Sequence, residues 1–240
     1  MRNKAVLIST LVVAALVAAL IAGEVIARHT AKKCMSQQFE SQLGTQVDIG
    51  LSAKPMLLQL IDKKVPYVTV DSDDSAFGPA KDMEVHARVN DVVVSESAQS
   101  SGTIGSSSAD IEWPTAGIQT TMSEQLMGGL ISGVRSSKSD GTLLFAVGPG
   151  GLATLTVKPR IVGDVVQVDT MAAQVLGIGL PTDLVDGVVK VISDSLQAYP
   201  LGMKPKSLEV TDEGIHMSLA GENFVMPPPQ SGADSCGVLS

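Results

Sequence analysis

Aromatic and basic residues are both scarce in this 240-residue sequence: rings make up 3% of it, and 17 Lys and Arg face 25 Asp and Glu. A net charge of −8 with so few rings offers neither a cationic footprint for phosphates nor a stacking platform for bases, which excludes nucleic acid as a partner. Histidine and cysteine are nearly absent. His29, His86 and His216 stand apart, no HxxxH or HxxE pair occurs, and two cysteines far apart make no zinc site, so no metal or other cofactor is expected. His86 and His216 lie in alternating stretches and read as solvated strand residues. Asp71-Ser72-Asp73-Asp74-Ser75 opens like a calcium loop, but Ala76 and Asp82 occupy the positions that need glycine and glutamate, so it reads as an acidic turn. No G-x-S-x-G elbow is present. Gly148-Pro149-Gly150-Gly151 lacks a following lysine and reads as a hairpin turn rather than a phosphate cradle. With no nucleophile and base in sight, the chain reads as a non-enzyme.

Charge is missing altogether from Ala5 to Gly23, between Arg2 and Lys4 on one side and Glu24 and Arg28 on the other. As a helix this run spans about 28 Å, the thickness of a bilayer's hydrocarbon core. The leading cations hold their end in the cytoplasm and send the rest of the chain across, to the cell envelope or periplasm. Residues 1–27 are thus a signal anchor or a signal peptide. The length of the run favours retention, and the small residues near Ala22 make a poor cleavage site. The exported part keeps 15 of the 17 basic residues against all 25 acidic ones, so lipid contact is expected in an apolar cavity rather than on a basic face. Cys34 and Cys236 stand at the two ends of that part. In an oxidising compartment they form a pairable couple, two free thiols being the alternative. A bridge would close a loop of about 200 residues, worth roughly 5 kcal/mol in the chain-entropy model.

Residues 28–226 read as one α+β domain, and 227–240 as a proline-rich tail tied down by the bridge. The periodicity predicts a short amphipathic helix over 28–43, a strand over 47–51, a helix over Met56–Lys63 and a strand over Tyr67–Val70. Residues 83–90 alternate cleanly between apolar and polar, as a half-buried strand does. The Ser/Gly-rich stretch 95–109 reads as a long hairpin loop, and Thr121–Val134 as a third helix interrupted by glycines. Strands are expected over 143–147, 153–158 and 165–169. A fourth helix follows Pro181, with Thr182 or Asp183 as its cap, and a last hairpin joins 207–211 to 215–220. About nine strands and four helices, the helices dispersed among hairpins, make the α+β class.

The surplus is aliphatic. Met56, Leu57, Leu60 and Ile61 form one helical stripe; Met122, Leu126, Leu130 and Val134 a second; Leu184, Val188, Val191 and Ile192 a third. Such stripes suit acyl chains, and the ten methionines suit pliable contacts with them. Equally, they suit a solid core. Lys54 and the pair Lys63-Lys64 are the cations placed to meet a headgroup.

Two segments carry a resemblance. Val47-Asp48-Ile49-Gly50, running into Pro55-Met56-Leu57-Leu58-Gln59-Leu60, resembles the opening motif of the actinobacterial LmeA-like phospholipid-binding family. Tyr199-Pro200-Leu201-Gly202-Met203, followed by Leu208-Glu209-Val210-Thr211-Asp212-Glu213-Gly214-Ile215 and Leu219-Ala220-Gly221, is similar to its C-terminal part. The resemblance covers roughly residues 34–226. It implies a strongly curved antiparallel sheet wrapped around a long helix, as in tubular lipid-binding proteins. It also implies an envelope protein that binds, and shuttles, phospholipid in support of lipomannan biosynthesis, with an envelope glycosyltransferase as partner. It carries no catalytic residues. The serine-rich loop and the tail after Pro227 depart from the family pattern. The alternative is a membrane-anchored scaffold subunit that stabilises an envelope enzyme and has no lipid cavity.

Overall fold

The computed structural model describes residues 2–43, 47–77, 80–95, 97, 99–125, 130–175, 181–197 and 199–228. Its first element, α1 (Arg2–Leu43), is one continuous helix. The separate helix expected over 28–43 is therefore the lower half of α1, because Glu24-Val25-Ile26-Ala27 contains no proline or glycine to end the first half. The stretch Ser9–Gln37 is long and apolar enough to cross a membrane, and its most apolar window buries none of its residues.

Next come β1 (Asp48–Leu51) and α2 (Met56–Asp62), followed by the long strands β2 (Lys64–Phe77), β3 (Ala80–Val94) and β4 (Gly102–Pro114). The acidic segment from Asp71 to Ser75 is part of β2 rather than a turn: Asp71 pairs with Asp48 on one side and His86 on the other. Most of the expected serine-rich loop is strand as well. From Gly102 onward it pairs with β3 and with β10 (Gly214–Met226), so its backbone is satisfied on both edges whatever its side chains prefer. Asp91 in β3 and Asn223 in β10 have left-handed backbones (φ 53° and 50°), and each skips a partner at the level of Gly105. Facing irregularities of this kind bend and twist a sheet.

After β4 the chain forms α3 (Thr115–Gln125) and then β5 (Ile131–Ser137), β6 (Thr142–Val147), β7 (Ala153–Val162) and β8 (Val165–Val175). The helix expected over 121–134 is corrected here: Ile131–Ser137 is a strand whose Val134 pairs with Phe145. The four-residue spacing that suggested one helix joins a helix end to a strand, across Gly128-Gly129. Between β6 and β7, Pro149–Gly151 makes a short 3-10 turn, in keeping with the expected turn. α4 (Thr182–Leu196) lies where expected. Its first turn is closed not by Thr182 or Asp183 but by the Pro181 carbonyl, which accepts from Leu184 and Val185 N–H at 3.1 and 3.3 Å. The chain ends with β9 (Lys204–Val210) and β10, joined by the expected turn, where the Thr211 hydroxyl accepts from the Gly214 N–H at 3.1 Å.

The architecture is α+β. One antiparallel sheet has the order β1-β2-β3-β4-β10-β9 and a second the order β5-β6-β7-β8. A single apolar core lies between them. Met83, Trp113, Ile215 and Met217 enter it from the first sheet, Leu143, Phe145, Leu155 and Val166 from the second, and Ile118, Met122, Val188 and Ile192 from α3 and α4. α3 is seated on β3 at close range. Thr121 Oγ1 accepts from Lys81 N–H at 2.8 Å, and Trp113 Nε1–H donates to the Lys81 carbonyl at 3.0 Å. A Cβ on Gly117 would fall 2.5 Å from that same carbonyl oxygen, so no larger residue fits there. The end of α4 is pinned to β8 by Gln197, which donates to the Val166 carbonyl at 2.8 Å, and by the Tyr199 hydroxyl, which accepts from the Val166 N–H at 3.1 Å.

Candidate functional site

The apolar residues singled out by periodicity fall into three places. Met122, Val188, Val191 and Ile192 are buried in the shared core, with Val134 and Leu184 packed against it. Leu130 stands at the rim of that core: it is 40% exposed, while its neighbour Ile131 is 3% exposed. Its carbonyl accepts the Gly148 N–H at 2.7 Å, which brings the Gly148–Gly151 turn and the exposed Leu152 to the same edge. Leu126, and the side chain of Leu60, lie outside the described residues.

The third place is α2. Met56 and Gln59 turn inward, while Leu57, Leu58 and Ile61 face solvent at 38, 51 and 80% exposure. Polar bonds set this orientation. The Glu24 carboxylate of α1 accepts from the Met56 N–H at 2.8 Å and from Leu57 N–H at 3.4 Å, and Arg28 donates to the carbonyls of Ser52 and Lys54. Buried Gln59 donates to the Lys54 carbonyl at 2.8 Å, so its burial leaves no unsatisfied amide nitrogen. The first family-like segment is therefore the joint between α1 and the domain, with Val47 and Ile49 buried beneath it and Ser36 of α1 donating to the Val47 carbonyl.

Of the cations expected near a headgroup, Lys54 is engaged: its Nζ donates to Asp62 at 2.5 Å and to the Lys64 carbonyl at 2.9 Å. Lys54, joined by the Lys64 N–H, holds the Asp62 carboxyl below the usual carboxylate range. This linkage favours the joint at any pH above the ordinary aspartate value and is lost as pH falls through the lowered one. The expected result is that protection of the α2 amides, taken relative to the intrinsic exchange rate at each pH, falls only in acid, and that Asp62→Asn shows the lower protection at neutral pH as well. Hydrogen-exchange mass spectrometry across that range checks both.

A basic residue that periodicity does not flag is Arg135. It lines an open cleft of about 440 Å³ with Gln119, Ser132, Val134, Leu144 and Ala146, five positions along the chain from Leu130. Its one signal in the sequence is a lone cation following an apolar position of a stripe. A second cleft of about 550 Å³ lies at the far end of the first sheet and is lined by Glu84, Glu112, Glu213 and His216. His86 and His216 lie on exposed strand faces as expected, the former 3.0 Å from an Asp71 oxygen. Among the described residues no group of three His, Cys, Asp or Glu side chains is arranged to hold a metal. Cys34 is disulfide-bonded; its expected partner, Cys236, lies outside the described residues.

The second family-like segment makes the passage from α4 into the core. Leu201 and Gly202 take left-handed backbones (φ 56° and 66°), and the turn they form delivers buried Met203 into the apolar interior. A Cβ on Gly202 would meet the Phe224 ring at 2.7 Å.

The chain is similar to three curated mycobacterial proteins, two from strains of Mycobacterium tuberculosis and one from Mycobacterium bovis, each named only as uncharacterized. Each is 26% identical over 227 residues, which cover 92% of this chain. The chain spans 63% of the length of these relatives. No solved structure matches it. The family model for LmeA-like phospholipid-binding proteins matches residues 18–220, from within α1 to the middle of β10. That match takes in the joint at α1, both sheets and the core between them, and the chain belongs to the LmeA-like phospholipid-binding family.

Proposed function

We propose that this chain is a non-enzymatic phospholipid carrier or holder on the outer face of the plasma membrane, tethered there by α1. The observation that carries this is the family match, which runs across the whole two-sheet domain. Acyl chains enter at the Leu130 rim and lie against Met122, Val134, Leu184, Val188, Val191 and Ile192, with the two bent sheets serving as the walls of a tube. The headgroup phosphate stays near Arg135, whose guanidinium presents paired donors suited to phosphate. These core side chains pack against one another, so room for an acyl chain requires α3 and α4 to part from each other. The exported setting suits a role in supplying or holding lipid for glycolipid and lipomannan assembly beside an envelope glycosyltransferase.

The scaffold reading keeps the same tether and the same core, dry and closed. Leu130→Asp separates the two. An uncompensated carboxylate at the mouth of an apolar site is costly, so phospholipid retained through purification should fall roughly tenfold or more. Val165→Asp, on an exposed strand of the second sheet, should leave retention unchanged. Equal retention in all three proteins, measured by lipid extraction and mass spectrometry, would remove the proposed mouth.

A further inference from the structure

We propose that the end of the domain carrying α2 is seated in the outer leaflet of the bilayer, with Leu57, Leu58 and Ile61 inserted beside the point where α1 emerges. This rests on the reading of α1 as a membrane anchor. It goes further, because it assigns the anchored domain a fixed orientation.

Three observations converge on it. The first is position. Glu24 is the first charged residue after the apolar run, and its carboxylate is bonded to the backbone of Met56 and Leu57, so α2 begins at the depth where α1 leaves the hydrocarbon. Arg28, one turn further on, fixes the loop before α2 through Ser52 and Lys54.

The second is orientation. In this seven-residue helix Met56 and Gln59 turn in while Leu57, Leu58 and Ile61 turn out, and Ile61 at 80% exposure is among the most exposed large apolar residues of the domain. Three adjacent aliphatic residues on one exposed helical face are costly in water and favourable at a lipid interface.

The third is the sheet beside it. The register of β2, β3, β4 and β10 places Lys64, Val93, Thr103 and Val225 in one row, and Val93 and Val225 are 38 and 60% exposed. The Val94 N–H donates to the Lys63 carbonyl at 2.9 Å, which ties that row to the end of α2. Two exposed valines thus stand at this end of the sheet beside α2, and α1 leaves from the same end. The opposite end of β10, at Glu213, bears acidic residues.

The consequence is a fixed geometry: the long strands stand away from the bilayer, and α2 thins or parts the leaflet at their foot. The test uses the full oxidised chain reconstituted in phosphatidylcholine vesicles, with and without bromine on the acyl chains. Buried Trp113 supplies a constant background. Leu58→Trp should show about a twofold loss of its added emission in brominated vesicles, since interfacial helices sink roughly 5–10 Å into the headgroup and acyl boundary. Glu213→Trp, at the other end of β10, should be unaffected. Leu16→Trp, inside the apolar run, reports the anchor itself. Quenching at Leu16 without quenching at Leu58 would overturn the seating of α2 and leave the anchor intact. Absence of quenching at both would overturn the two together, and quenching at Leu58 and Glu213 alike would overturn the fixed orientation.

Discussion

Replacing Cys34 by serine should lower the unfolding free energy of the exported domain by between about 2 and 5 kcal/mol. Cys34 is disulfide-bonded and sits in the lower half of α1, near the joint with β1 and α2. We propose Cys236 as its partner. The bridge then encloses nearly the whole domain, and the entropy it removes from the unfolded chain is close to the most that one cross-link can remove. Urea unfolding of the oxidised wild type, the reduced wild type and Cys34→Ser checks this. The reduced protein and the variant should coincide, both well below the oxidised form. Coincidence of all three would show that the bridge constrains nothing, and with it would go the tail's role as a tie.

Ile192→Ala is expected to have an effect of similar size but a different dependence on lipid. Ile192 is fully buried between α4 and the two sheets, and removing its outer carbons should cost about 2–5 kcal/mol in the lipid-free protein, depending on how far the core collapses. If acyl chains lie along α4, they fill the space that alanine leaves. Binding to the folded state adds about 2.7 kcal/mol to either protein at a ligand concentration a hundredfold above Kd, so filling of the space shows as a wild-type-to-variant gap that narrows with phospholipid. Thermal unfolding with and without phospholipid, for wild type and variant, reads the difference directly. A gap between wild type and variant that stays as wide with lipid as without it would place the acyl chains elsewhere and favour a closed scaffold.

Strands with one buried face declared themselves by alternation, and Met83, Val85, Leu143 and Met217 lie inside as that pattern requires. α4 was legible for the same reason: Val188, Val191 and Ile192 share one face of a helix bounded by Pro181 and Pro200. Composition misled where neighbours decide. Ser106, Ser107 and Ser108 look like loop residues, but they occupy a strand flanked on both edges, and backbone pairing outweighs their local preference. The segment from Met122 to Val134 misled by coincidence, because a helix end followed by a strand can mimic a four-residue repeat over so short a distance.

The facing of α2 lay beyond reach for a further reason. The stripe read over Met56, Leu57, Leu60 and Ile61 is split in the fold, Met56 turning in while Leu57 and Ile61 turn out, because apolar residues surround most of so short a helix. Glu24 and Gln59 select it, through bonds to groups as far as 33 positions away in the chain. Long-range polar bonds of this kind leave no local trace. Arg135 was hidden for a related reason: only the tertiary fold brings Gln119, Leu144 and Ala146 around it to form a cleft.

The central claim is that the domain holds phospholipid. Native mass spectrometry of residues 30–240, exported through an oxidising route and purified gently, tests it most directly. The account predicts adducts of phospholipid mass at one fixed stoichiometry, identified by extraction and diminished in Leu130→Asp. A bare protein mass that stays bare after incubation with phospholipid vesicles would contradict it.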